Sequence, residues 1–273
     1  MNILVIHGSM RKGNTYALTK EIVDRLAAKP DVNITEIGVE EMDLPFCTSC
    51  HACLTRGEEH CPHDDRLQKL RTALNDCDGL ILSGTTYVRA LNAAMKNVID
   101  HFAYMFHRPA LFGKQGMVIA TSAGVGEKNV AKYIKNVMGQ WGINGAIIVT
   151  RNTKEERLQS VGGKLPQKVI RKYDTAAQKF YDRMSSKRVV SPAINNIIVH
   201  NAFRATSLSE YSESLHDTQH WSMPGFADRA YPVKINAFKY MFGTIMYNII
   251  KKATAAIGRS YEKKQKGNDS TVV

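Results

Sequence analysis

Short apolar runs and helical periods alternate along the first 150 residues of this chain. Ile3–Ile6 is an unbroken apolar run that predicts a buried strand. Leu18, Ile22, Val23 and Leu26 then recur at the spacing of one helix face, predicting a helix over Thr15–Ala28. The same reading gives a strand near Asn33–Gly38, a helix over Arg66–Asn75 and a strand over Gly79–Gly84. A helix over Ala93–Met105 follows, with Ala94, Val98, Phe102 and Met105 in period. Met117–Thr121 is a strand, Glu127–Trp141 a helix and Gly145–Val149 the last strand. Five strands separated by helices predict an α/β fold with a doubly wound, five-stranded parallel sheet. Ligands in such sheets sit outside the carboxyl ends of the strands. The loops after Ile6, Leu82 and Thr121 are therefore the ones that matter.

Beyond the sheet, Lys168–Ser185 carries a helical period at Ile170, Tyr173, Ala177, Phe180 and Met184, and closes the first domain at residues 1–185. The stretch that follows, with His200, Trp221 and Pro224, reads as mostly irregular. Phe238, Met241, Phe242, Ile245, Ile249 and Ala253 share one side of a helix predicted over Ile235–Ile257. The expectation is a mainly helical C-terminal extension over 186–260 and a disordered tail over 261–273.

The first loop, Ser9-Met10-Arg11-Lys12-Gly13-Asn14-Thr15, joins a strand to a helix N-terminus. Unpaired backbone N–H groups and the positive end of the helix dipole favour an anion there. Ser9, Asn14 and Thr15 add hydrogen bonds, and Arg11 and Lys12 add charge. Gly13 is expected to turn with positive φ or to let the backbone approach the anion. An ordinary βα turn with a polar helix cap is the alternative. The loop lacks both the G-x-x-x-x-G-K-[ST] pattern of nucleoside triphosphatases and the three-glycine pattern of dinucleotide folds. After the third strand, Thr85-Thr86-Tyr87-Val88 is expected as a loop offering the Tyr87 ring to a flat heterocycle. After Thr121, Ser122-Ala123-Gly124-Val125-Gly126 is small enough for backbone amides to approach a planar ligand.

Cys47, Cys50, Cys53 and Cys61 follow the spacing C-x2-C-x2-C-x7-C, with Pro62 after the last. This compact spacing lets thiolates converge on an iron–sulfur cluster. His51, His60 and His63 lie in the same stretch and admit zinc. A lid loop with free thiols is the third reading. Cys77, beside an apolar strand, reads as structural. His7, His101 and His107 read as packing residues.

The run S-x-R-K-G-N-T, the cysteine loop ending at Asp64-Asp65, G-T-T-Y-V, K-N-V-I-D-H-F and T-S-A-G-V-G together resemble the flavodoxin-like NADPH-dependent FMN reductase family. The iron–sulfur flavoprotein subgroup is the nearest in pattern, and the resemblance covers roughly residues 1–150. It implies that Ser9, Arg11, Lys12, Gly13, Asn14 and Thr15 hold the phosphate of FMN. It implies that Thr85, Thr86, Tyr87 and Val88 border the flavin ring, with Thr86 standing where the family usually has proline. Ser122, Ala123, Gly124, Val125 and Gly126 would flank the ring. The implied activity is NAD(P)H-dependent reduction of a small-molecule acceptor or redox protein, with no catalytic side chain required. If Cys47, Cys50, Cys53 and Cys61 hold a [4Fe–4S] cluster, the protein would instead take electrons from a ferredoxin-like donor. A homodimer is the family expectation. A non-catalytic flavin sensor or carrier, docked through the C-terminal helix, is a further reading.

Composition narrows the setting. Hydrophobic content of 44% and charged content of 23% are those of a globular protein. No apolar run is long enough for a membrane span, and no signal peptide precedes the first strand. Clustered cysteines in that context point to a reducing compartment, so a cytoplasmic location is expected. The net charge is +12. Residues 231–273 contribute +6 of it, from eight basic and two acidic positions. That asymmetry admits a peripheral membrane contact for the tail. A nucleic-acid partner is not expected.

Overall fold

The computed structural model of the chain describes residues 1–154, 165–226, 233 and 235–269, the last six of these without side chains. The chain forms two compact units. The first comprises residues 1–50, 62–103 and 110–190, and the second 51–61, 104–109 and 191–273.

In the first unit, β1 (Asn2–His7), β2 (Asn33–Gly38), β3 (Gly79–Tyr87), β5 (Gln115–Ser122) and β6 (Ile147–Asn152) form a parallel sheet in the order β2-β1-β3-β5-β6. A two-residue strand, β4 (Ala90–Leu91), pairs antiparallel with the far end of β3. This is the flavodoxin-type order, whose reversal between β1 and β3 opens a crevice at the strand ends. Both faces of the inner strands β1, β3 and β5 are covered, so these read as apolar runs. Ile3, Val5, Ile81, Met117, Ile119 and Val149 pack with α1 (Asn14–Ala27) and with the helix over Gln167–Ser185, through Leu18, Ile22, Tyr173 and Phe180. The opposite face carries the helix over Glu127–Gln140; a side chain at Gly84 would strike Ile134, and one at Gly116 would crowd Met138.

The second unit is helical. It contains Ala52–Thr55, Tyr104–His107, Ile194–Ser207, Leu215–Ser222 and Ala237–Asp269. Its interior holds a charge network. Asp217, fully buried, accepts hydrogen bonds from the Arg108 guanidinium and from His107 Nδ1 at 2.7 Å. Arg108 Nη2 also donates to Glu58 Oε2 at 2.7 Å and to the Cys53 carbonyl at 2.9 Å.

Several boundaries differ from the sequence reading. The stretch expected to be irregular contains two helices, Ile194–Ser207 and Leu215–Ser222. Their buried faces include Asn196, His200, Asn201, Arg204 and Asp217, so the hydrophobic period that announces a helix is absent. The helix expected over Ala93–Met105 breaks into Ala93–His101 and Tyr104–His107. Phe102 and Ala103 turn on tight bonds to Ile99 and Asp100, which sends the buried Phe102 ring toward Trp141, 5.8 Å away. The last helix continues to Asp269 through part of the tail expected to be disordered. The remaining tail residues, 270–273, and Lys234 lie outside the described residues. Among the described residues no helix is long and apolar enough to cross a membrane.

Candidate functional site at the strand ends

The carboxyl ends of β1, β3 and β5 are joined by hydroxyls. Thr15, the second residue of α1, shares hydrogen bonds with Thr85 Oγ1 at 2.9 Å and with Thr121 Oγ1 at 2.6 Å. Thr15 and Thr121 are buried, so the bond between them is shielded from water, while Thr85 is half-buried. It draws together the three loops that the sequence singled out.

In the first loop, Ser9 Oγ donates to the Arg11 carbonyl at 2.8 Å, and the Gly13 N–H donates to the same carbonyl at 2.8 Å. Arg11, Lys12 and Asn14 are exposed, with Lys12 Nζ 5.6 Å from the Tyr16 ring centre. Helix α1 begins with no side-chain cap and no acidic residue in its first turn. Its leading N–H groups and dipole are thus left for an external acceptor. Gly13 does not turn with positive φ; its φ is −100°, and a side chain there would make only ordinary contact with Arg11. The steric demand falls on Gly8, where a Cβ would lie 2.2 Å from the Ser83 carbonyl oxygen.

The second loop is largely strand. Thr85 is the last β3 residue in the parallel sheet, opposite Thr121, and Thr86 and Tyr87 extend β3 beyond it to pair with β4, Thr86 opposite Leu91 and Tyr87 opposite Ala90. The turn lies at Val88 and Arg89, both left-handed, with φ of 47° and 63°. A two-residue hairpin with that geometry prefers Asn-Gly, and a β-branched residue there is strained. Tyr87 and Val88 project into solvent. Thr86 Oγ1 is buried and has no hydrogen-bond partner among the described residues. Asn92 fastens this ribbon to the first loop. Its Nδ2 donates to the Gly8 carbonyl at 2.6 Å, and its Oδ1 accepts from the Thr85 N–H at 3.3 Å.

The third loop starts on β5, since Ser122 is its last residue. Ser122 Oγ donates to Glu127 Oε2 at 2.6 Å, and the Ser122 carbonyl accepts from Thr153 Oγ1 at 3.1 Å. Asn152 donates to the Gly124 carbonyl. Ala123, Gly124 and Val125 are exposed. Gly126 has φ of 106°, and a side chain there would meet Thr86 Cγ2 at 2.9 Å. The third loop therefore rests directly on the ribbon.

Thr121, Asn92, Glu127 and Gly8 were not anticipated from sequence. Asn92 carries the one available signal, an Asn just before a helix. Its side chain makes no cap bond because both its ends are spent on the strand ends.

Cys47 is half-buried and Cys50 exposed in the first unit; Cys53 and Cys61, in the second, are half-buried. None is in a disulfide. Asn97 fixes the approach to Cys47: its Oδ1 accepts from the Cys47 N–H at 3.0 Å, and its Nδ2 donates to the Leu44 and Pro45 carbonyls. His101 Nε2 meets the Pro45 carbonyl at 2.9 Å, and burial holds its pKa below the usual histidine value. Among the described residues, no three His, Cys, Asp or Glu side chains are gathered so as to hold a metal ion. The Cys77 thiol is pushed up to about 11 by burial, as suits a structural cysteine.

Comparison with known proteins follows the same outline. The NADPH-dependent FMN reductase family matches residues 1–153. An iron–sulfur flavoprotein of Archaeoglobus fulgidus is 32% identical over 145 residues, covering 52% of this chain and 64% of that protein. An NADPH azoreductase of a Bacillus species is 28% identical over 112 residues, covering 40% of this chain and 55% of that one. The matches thus span less than two thirds of each curated relative. The apo form of an NADH:FMN oxidoreductase superposes with a TM-score of 0.50 at 21% identity, covering 69% of this chain and 94% of that one. That likeness speaks for the fold.

Proposed function

Since the chain belongs to the NADPH-dependent FMN reductase family, we propose that it is an FMN-dependent oxidoreductase passing electrons from NAD(P)H to a small-molecule or protein acceptor. The observation that carries the reading is the Thr15–Thr85–Thr121 junction, which presents three loops of suitable chemistry at one place. The residues fit a flavin mononucleotide. The uncapped start of α1, with Arg11 and Lys12 beside it, suits the phosphate. Ser9 shapes that loop from within, and Gly13, Asn14 and Thr15 complete it. The orphaned Thr86 hydroxyl offers a hydrogen bond to a ring edge, and Tyr87 and Val88 offer an exposed apolar rim. Ser122 to Gly126 would line the other side, with Gly124 open enough for a backbone N–H to reach a ring atom.

When bound, the flavin supplies the hydride and electron chemistry. This chain's residues hold and orient it. Asn92 and Asn152 pin the loop backbones so that little order is lost on binding. The test is a visible spectrum of anaerobically purified protein, followed by NADPH and NADH oxidation with a quinone acceptor. Flavin absorbance and turnover support the reading. A colourless protein that also fails to take up added FMN overturns it.

A second reading rests on the cysteine spacing and on the iron–sulfur flavoprotein among the relatives. Here Cys47, Cys50, Cys53 and Cys61 hold a [4Fe–4S] cluster fed by a ferredoxin-like donor. Iron and sulfide at about four each per chain, as that cluster type requires, support it. Flavin without iron leaves the reductase. A cytoplasmic homodimer completes the proposal, checked by cell fractionation and by solution mass.

A further inference from the structure

The helix over Ala237–Asp269 uses one side for packing within the second unit. Gly243 lies against Ile197 and Asn201, where a Cβ would come within 2.9 Å of the Asn201 amide. Tyr247 lies under the Arg204 guanidinium at 4.2 Å, and Gly258 lies against the Tyr211 ring. The two glycines let the helix approach closely on that side. The outer side is left apolar over three turns. Phe238, Met241, Ile245 and Ile249 follow the i, i+3, i+7, i+11 spacing of one stripe, and each is about half or more exposed, at 62%, 55%, 48% and 55%. The stripe runs about 16 Å along the helix at its 1.5 Å rise per residue. Continuing the same winding, Lys252, Arg259 and Lys263 follow on that side, all exposed. An apolar stripe followed by cations on one helix face is unusual for a surface facing only water. An oily, uncharged partner would leave the cations without a counterpart. A purely acidic partner would leave four large apolar side chains in contact with charge.

We infer that this face docks on an anionic lipid surface. The apolar stripe enters the boundary between headgroups and acyl chains, and Lys252, Arg259 and Lys263 meet lipid phosphates. The helix lies on the membrane and does not cross it. The inference stands on the second unit alone and does not depend on the flavin reading.

The experiment is co-sedimentation of the full chain with vesicles of phosphatidylcholine alone and of equal parts phosphatidylcholine and phosphatidylglycerol. The expected result is binding to the anionic vesicles, weakening as salt shortens the screening length. Lys252→Gln with Arg259→Gln should lower the partition by about five-fold per residue. Ile245→Glu with Ile249→Glu should lower it by at least about ten-fold. Because an acidic pair could also disturb packing, Ile245→Trp supplies a second readout. Trp141 and Trp221 are fully buried, so the new indole dominates any change. Its emission should shift to the blue on anionic vesicles and be quenched by lipids brominated on their acyl chains. Three results would each overturn the inference. One is no partition into anionic vesicles at low salt. Another is no quenching at Trp in that variant. The third is a wild-type solution mass of two chains that falls to one in the Ile245→Glu, Ile249→Glu protein, which would make the stripe an interface between copies.

Discussion

Replacing Thr15 by valine keeps its shape and removes one hydroxyl from the junction of the three loops. That hydroxyl bonds Thr85 at 2.9 Å and Thr121 at 2.6 Å. The two losses differ in kind. Thr85 is half-buried and regains a bond to water, so its share is about 1 kcal/mol. Thr121 is 2% exposed, and its stranded hydroxyl costs about 2 kcal/mol. The added buried methyl of valine returns about 1 kcal/mol. The expected net cost is about 2 kcal/mol, read from urea unfolding of flavin-free protein. A second substitution sharpens the test. Thr15→Val with Thr121→Val strands no buried hydroxyl, so the pair should cost about 1 kcal/mol less than the sum of the single changes. Under the proposed function, the loosened loops should also weaken FMN by roughly ten-fold, the equivalent of about 1.4 kcal/mol. Thr15→Val unfolding within about 0.5 kcal/mol of wild type, the ordinary scatter of silent surface changes, would refute the junction's role. So would strict additivity of the two valines.

Gly8 and Gly13, before and within the first loop, should behave differently. Gly8→Ala drives a methyl into the Ser83 carbonyl and should cost more than about 3 kcal/mol. Gly13→Ala, at φ of −100° with only ordinary contact to Arg11, should change stability by less than about 0.5 kcal/mol, the entropy gain offsetting a poorer cap residue, while still weakening FMN, as thermal melts and flavin titration would report. Val88→Asn with Arg89→Gly should relieve the left-handed turn and stabilise the fold by about 1 kcal/mol; a destabilised variant would mean the strain is not local. Burial and the nearby Arg108 charge push His107 and His220 down to about 4. In the unfolded chain both titrate near about 6.5, so the unfolded state binds protons that the folded state refuses. Stability is therefore full above that value and falls as pH drops toward 4, by up to about 2 kcal/mol per histidine at pH 5. Urea midpoints that stay level between pH 7 and pH 5 would contradict this.

The sheet was legible because its three inner strands are buried on both faces and its helices keep a clean apolar face. Strand Asn33–Gly38 falls where the pattern placed it. The same pattern failed where burial is polar. Asn201 and Arg204 are buried in Ile194–Ser207, where hydrogen bonds replace apolar contact, and composition alone reads such a segment as loop. At the site, the loops could be named, because phosphate-type chemistry is local to a strand–loop–helix sequence. What ties them could not. Thr15 and Thr121 are 106 positions apart, and no local rule pairs them. Thr85 to Tyr87 read as loop because small and polar residues follow Leu82, yet pairing with Thr121 on β5 holds Thr85 extended and pairing with β4 holds Thr86 and Tyr87.

That ribbon separates two requirements that most sites entangle. Tyr87 and Val88 stand outside the parallel sheet, at the tip of an arm clamped at its root by Asn92 and resting on Gly126. The core ends at the root. The Tyr87 side chain, which projects into solvent with ordinary backbone geometry, is therefore free to change without charging the fold for it. Under the proposed function, a new acceptor would be met there first, by a change at Tyr87 that leaves the melting temperature nearly untouched.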